Sequence, residues 1–170
     1  MTSRPSSGLV RLNEATAPAA SGLLHEVCAS RFWGASLAAG RPYACLDDLL
    51  AASDAAMAAL AADDLAEAMA GHPPIGRPKP GDPISAREQS GVQESEREEL
   101  LRLNLAYQDI HGHVFLICAT GLTGGQMLAA LDARIGNDAD TEREIVRTEL
   151  GKINRIRLTR LVETPEEEPS

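Results

Sequence analysis

The stretch His72-Pro73-Pro74-Ile75-Gly76-Arg77-Pro78-Lys79-Pro80-Gly81-Asp82-Pro83-Ile84-Ser85-Ala86-Arg87-Glu88-Gln89 separates two helical patterns, and the rest of the chain is read around it. Its prolines and glycines exclude a helix interior or a central strand. It leads from a histidine at the exit of one expected helix to a glutamate at the entrance of the next. A long, stiff connection held by rigid elements has the character of a functional loop. His72 and Glu88 therefore read as an acid/base pair of a small enzyme, since histidine titrates near neutrality and a carboxylate can take a proton from a hydroxyl. Glu88 keeps a second reading, because Ser85-x-x-Glu88 is also a capping box at a helix N-terminus.

Upstream of this loop, residues 1–10 are rich in Ser, Pro and Gly and are expected to be flexible. Asn13 is expected to cap a helix whose stripe is Leu23, Leu24, Val27 and Cys28, ending near Phe32 and Trp33. Arg41-Pro42-Tyr43 breaks that pattern. Leu46, Leu49, Leu50, Ala56, Met57 and Leu60 suggest one or two further helices. Asp63-Asp64 then opens a short one over Leu65–Ala70, with Gly71 placed to cap it.

Downstream, a helix is expected from Glu94 to about Ile110, with Leu100, Leu103, Tyr107 and Ile110 on one face and Asn104 beside it. Val114-Phe115-Leu116-Ile117-Cys118-Ala119 is apolar without helical period and reads either as a short extended segment or as a buried helix start. Thr123 or Gly124 precedes a helix carrying Met127, Leu128, Leu131 and Ile135, closed by Gly136-Asn137. The last helix, from about Asp140 to Val162, contains an anomaly. At about 100° per residue, Val146, Leu150, Ile153 and Arg157 share a narrow arc. Arg157 thus stands where an apolar residue is expected, so its guanidinium needs a carboxylate or an anionic ligand, or must snorkel to the surface.

No strand alternation or βαβ pattern occurs. The fold is expected to be all-α, a single compact domain of about seven to nine helices over residues 11–163, followed by a disordered acidic tail at 164–170. The 170 residues suffice for a real core, and with aromatics at 3% that core must be filled by Ala, Leu, Val and Ile. A net charge of -9 without any basic run argues against nucleic acid. The Ala-rich region Leu49–Met69 is interrupted by Asp54, Asp63, Asp64 and Glu67, which argues against a membrane span. The N-terminus lacks an apolar secretory core, and Cys28, Cys45 and Cys118 form no C-x-x-C, so reduced thiols in a cytoplasmic setting are expected. Nucleotide and triad-hydrolase motifs are missing. His111-Gly112-His113 lacks a third ligand nearby, so no metal is expected. His72, Glu88 and Arg157 remain as parts for proton transfer on a small polar anion.

The ordered set of motifs resembles the 2-oxo-4-hydroxy-4-carboxy-5-ureidoimidazoline (OHCU) decarboxylase family. The resemblance runs over about residues 10 to 163 and rests on several motifs taken together. These are Trp33, Arg41-Pro42, His72-Pro73-Pro74-Ile75-Gly76, Ser85-x-x-Glu88-Gln89, Leu103-Asn104-x-x-Tyr107 and Ile153-x-x-Ile156-Arg157-Leu158. It implies an all-α enzyme without a cofactor, commonly a homodimer, that converts OHCU to (S)-allantoin and carbon dioxide as the last step from urate. It also implies a functional link to urate oxidase and hydroxyisourate hydrolase. By the same resemblance, catalysis falls to His72, Glu88 and Arg157. Contacts to the ureide substrate fall to Pro73, Ser85, Ala86, Arg87, Glu88, Gln89, Arg157 and the backbone of Phe115, Leu116, Ile117, Cys118 and Ala119. The chain departs from the family in carrying His111 and His113 around Gly112, where members often carry aromatics. A tail that is not a peroxisomal signal keeps the cytoplasm as the expected location. The competing readings are a non-catalytic helical module that binds a ureide or a protein, and an enzyme of the same fold acting on another hydroxy-carboxy imidazoline.

Overall fold

The computed structural model describes residues 4–72 and 94–163. The expectations placed on Pro73, on Ser85 to Gln89 and on the 164–170 tail therefore lie outside the described residues. Among the described residues there are eight α-helices and no strand, so the chain is all-α as expected. The helices are α1 (Ser7–Glu14), α2 (Ala17–Val27), α3 (Arg31–Ala39), α4 (Leu46–Ala59), α5 (Ala62–Ala70), α6 (Glu94–His111), α7 (Gly124–Arg134) and α8 (Ala139–Glu163).

Short side-chain oxygens begin these helices. Ser6, Thr16, Ser30 and Thr123 each accept the N–H three residues on, satisfying one of the donors that a helix start leaves open. Thr123 and Gln126 complete a reciprocal capping box. The expectation that Asn13 caps a helix is corrected. It lies inside α1 and exchanges two bonds with the Tyr43 backbone, its Nδ2 donating at 2.9 Å and its Oδ1 accepting at 2.8 Å. Thr16 takes the capping role, with Pro18 in the first turn, where its missing N–H costs nothing.

The chain packs as two units, Met1–Leu65 with Gly151–Ser170, and Ala66–Leu150. In the first, α1 packs on α2, α2 on α3 and α3 on α4 around Leu9, Leu12, Leu24, Trp33, Leu37 and Leu49, all buried. Residues 7–10, expected to be flexible, are helical. Their order follows from contact with the end of α8: Ser6 Oγ donates to the Val162 carbonyl at 2.6 Å. A Cβ on Gly8 would lie 2.5 Å from that same oxygen, so only glycine lets the two backbones approach this closely. Trp33 Nε1 donates to Ser53 Oγ at 3.1 Å inside the core. After a cis Arg41–Pro42 bond, the chain is tied down by the Arg41 guanidinium, which donates to Leu12 O at 2.9 Å and Ala15 O at 2.7 Å.

In the second unit α6 packs on α7 around Leu100, Tyr107, Phe115, Ala119, Met127 and Leu131. The expected face of α6 is corrected at one end. Ile110 is 63% exposed, whereas Asn104 is fully buried. Ten residues advance a helix by about 1000°, which leaves Ile110 some 80° from Leu100, while Asn104 and Tyr107 stay within about 40° of it. Val114–Ala119 resolves as neither helix nor strand, with Phe115, Leu116 and Ala119 buried.

Candidate active site

The residues expected to carry chemistry fall in different parts of the chain. His72 lies at the exit of α5, half-buried, with its backbone N–H donating to Met69 O at 3.0 Å. Glu88, with the rest of Ser85 to Gln89 and Pro73, lies outside the described residues. Arg157 is half-buried on α8 in the first unit, and its Nη1 donates to the Val27 carbonyl at 3.0 Å. The guanidinium that stands out of pattern on an apolar arc is thus held by the carbonyl at the C-terminus of α2.

Phe115 to Ala119 lies wholly in the second unit, and its backbone is tied at three points by side chains from three helices. Asn104 Oδ1 of α6 accepts the Phe115 N–H at 3.2 Å. Arg134 Nη1 of α7 donates to Leu116 O at 2.8 Å, and its guanidinium stacks 4.4 Å from the centre of the Phe115 ring. Glu149 Oε2 of α8 accepts the Cys118 N–H at 3.2 Å. An irregular segment has no ladder to satisfy its backbone, so these side chains supply the partners that secondary structure supplies elsewhere.

Behind the segment is a buried polar cluster that the sequence reading passed over. Arg134 and Glu142 form an ion pair at 2.9 Å, with Glu142 fully buried. The same carboxylate accepts from the Tyr107 hydroxyl and from Asn137 Nδ2. Burial pushes the Glu142 carboxyl up, but the bonds from Arg134, Tyr107 and Asn137 outweigh it and hold the carboxyl below its usual range. Burial also pushes the Tyr107 phenol up, and its bond to Glu142 adds to that rise. The test that singled out Arg157 finds this pair too. Arg134 follows Met127 and Leu131 at helical spacing, and Glu142 stands four residues before Val146, so both occupy apolar-arc positions on either side of the Gly136-Asn137 turn.

His111 and His113 both contact the Tyr107 ring, at centroid distances of 4.4 and 5.5 Å. His111 Nε2 pairs with Ile135 O at 3.1 Å. Among the described residues no group of three or more His, Cys, Asp or Glu side chains is placed to hold a metal ion.

Together these features define a small all-α protein with a half-buried backbone segment gripped by helix side chains. A family model described as OHCU decarboxylase matches residues 13–159, and the chain belongs to the OHCU decarboxylase family. It is 36% identical over 108 residues to the uric acid degradation bifunctional protein TTL of Arabidopsis thaliana, covering 58% of this chain and 33% of that protein. It is 30% identical over 130 residues to the uric acid degradation bifunctional protein PucL of Bacillus subtilis (strain 168), covering 74% of this chain and 26% of that protein. The chain thus spans about a third or less of the curated relatives it matches. Among solved structures it resembles OHCU decarboxylase crystallised in the presence of (S)-allantoin, with a TM-score of 0.73 and 26% identity over 82% of this chain and 96% of that one. It also shares the fold of (S)-allantoin synthase, with a TM-score of 0.69 and 21% identity over 92% of this chain and 54% of that one.

Proposed function

We propose that this chain decarboxylates OHCU to (S)-allantoin and carbon dioxide. The observation that carries the reading is the family match over residues 13–159. It is supported by the likeness to an OHCU decarboxylase crystallised in the presence of (S)-allantoin.

The chemistry needs no cofactor, because the substrate holds its own electron sink. The carbon that bears the carboxylate and hydroxyl adjoins a ring C=N. As the carbon–carboxylate bond breaks, its electron pair forms a C=C bond, and the former C=N electrons move to nitrogen, which takes a proton from solvent. The enol then gives its hydroxyl proton to the Glu88 carboxylate and becomes a carbonyl. His72, as imidazolium, delivers a proton to the adjacent carbon from one face, which sets the (S) configuration. Arg157 and Gln89 orient the polar groups, together with Pro73, Ser85, Ala86 and Arg87. The backbone of Phe115 to Ala119 binds the ureido or ring oxygens. Glu88 acts as the base although Ser85-x-x-Glu88 also has the sequence of a capping box.

The proposal extends to a homodimer in the cytoplasm that takes its substrate from the reactions of urate oxidase and hydroxyisourate hydrolase. The two curated relatives are themselves named as bifunctional proteins of uric acid degradation. No helix among the described residues is long and apolar enough to cross a membrane.

The test generates OHCU in place from urate with those two enzymes and follows the circular dichroism of allantoin. The wild-type chain is expected to produce the (S) signal rapidly. His72→Ala is expected to lower kcat by about a hundredfold or more, the usual scale for a general acid/base. Glu88→Gln, which a capping role would tolerate and a base would not, is expected to fall with it, and wild-type turnover in that variant would sink the catalytic role of Glu88.

A further inference from the structure

Of the three tethers on the Phe115–Ala119 segment, two have a ready structural explanation. Asn104 and Arg134 are buried, and they satisfy backbone groups of Phe115 and Leu116 that are buried as well. Glu149 differs, because it is half-exposed and binds the N–H of a residue, Cys118, that is itself only half-buried. Water can reach a group in such a position, so solvation alone does not call for a carboxylate. What a carboxylate adds is direction.

The peptide unit is planar and trans, so its C=O and N–H point opposite ways. Arg134 holds the Leu116 carbonyl, which turns the N–H of Ile117 away from Arg134. Glu149 holds the Cys118 N–H, which turns the carbonyl of Ile117 away from Glu149. The two flanking bonds therefore fix both polar groups of Ile117, a donor and an acceptor on one residue. Neither group has a hydrogen bond within the described residues, although the segment is packed against the core.

We propose that Arg134 and Glu149 are positioning residues that aim the N–H and C=O of Ile117 as a donor–acceptor pair for the amide edge of a ureido group. A ureido group presents a carbonyl beside an N–H, so it can close two hydrogen bonds with such a pair at once. The inference rests on the reading that this segment binds a ureide substrate. It assigns the specificity for a ureido group to one residue's backbone, and the control of that backbone to two side chains that touch no substrate.

The experiment measures kcat and KM for wild type, Glu149→Ala and Glu149→Gln on OHCU generated in place, together with each Tm. In Glu149→Ala the KM is expected to rise about five- to tenfold, the scale of one hydrogen bond, with kcat and Tm held. Glu149→Gln is expected to restore KM, because its amide oxygen accepts the same N–H. An active wild type with both variants matching it overturns the positioning role and leaves the proposed reaction standing. A lowered Tm in Glu149→Ala without rescue by Gln overturns it as well, as plain loss of packing. A wild type that leaves OHCU unchanged overturns the reaction and this inference with it.

Discussion

The two packing units solve the same problem with different chemistry. In the first, backbone carbonyls take up the polar side chains: Arg41 ends on Leu12 O and Ala15 O, Arg157 on Val27 O, and Ser6 on Val162 O. Its buried bonds between side chains, Trp33 to Ser53 and Asn154 to Met57, are neutral. In the second, a full charge pair is sunk into the core, with Glu142 meeting Arg134, Tyr107 and Asn137. The first arrangement closes helix ends. The second grips a segment that has no regular structure of its own. A buried ion pair adds little net stability, because desolvation consumes most of the attraction, but it fixes geometry once formed.

The comparison predicts unequal losses. Arg134→Met leaves Glu142 buried without its cation, and urea denaturation is expected to show a loss of about 3–5 kcal/mol. The double change Arg134→Met with Glu142→Leu is expected to regain most of it, since the uncompensated charge is gone. A double variant no better than the single one breaks the contrast drawn between the units. In the first unit, Gly8→Ala forces backbones apart where a Cβ would lie 2.5 Å from Val162 O, and a loss of about 1–3 kcal/mol is expected by the same method. The smallest effect is on acid stability. The folded Glu142 carboxyl is held below its ordinary value of 4.5. Its contribution is therefore complete above that value and fades as pH falls through the lower folded one. Tm measured from pH 7 down to pH 3 is expected to decline less steeply in the Arg134→Met, Glu142→Leu double variant than in wild type.

Much of the fold was legible because helices declare themselves locally. The α8 arc of Val146, Leu150 and Ile153 is buried as its periodicity requires, and Thr123 caps α7 as its place before the apolar stripe suggests. The misplacements were also local in origin. Asn13 is as good a cap residue as Thr16 by type, and its bonds to Tyr43 are made thirty residues away in sequence. The Ser- and Gly-rich start of the chain looks loose by composition, yet Gly8 is the residue that permits α1 to dock. For the candidate site, Arg157 was visible as a charge out of pattern, and Arg134 and Glu142 carried the same signal without being read.

Periodicity, capping residues and the order of motifs were enough to establish an all-α chain of this family and to nominate His72, Glu88 and Arg157. Those properties depend on neighbours along the chain, within a few turns of helix. Which carbonyl receives Arg157, which carboxylate is sunk beside Tyr107, and which way the peptides around Ile117 face depend on groups brought together from distant segments. Asn104, Arg134 and Glu149 come from three helices to hold one short stretch of backbone. Folding alone makes them neighbours, because a hydrogen bond depends on ångströms and angles in space and not on separation along the chain.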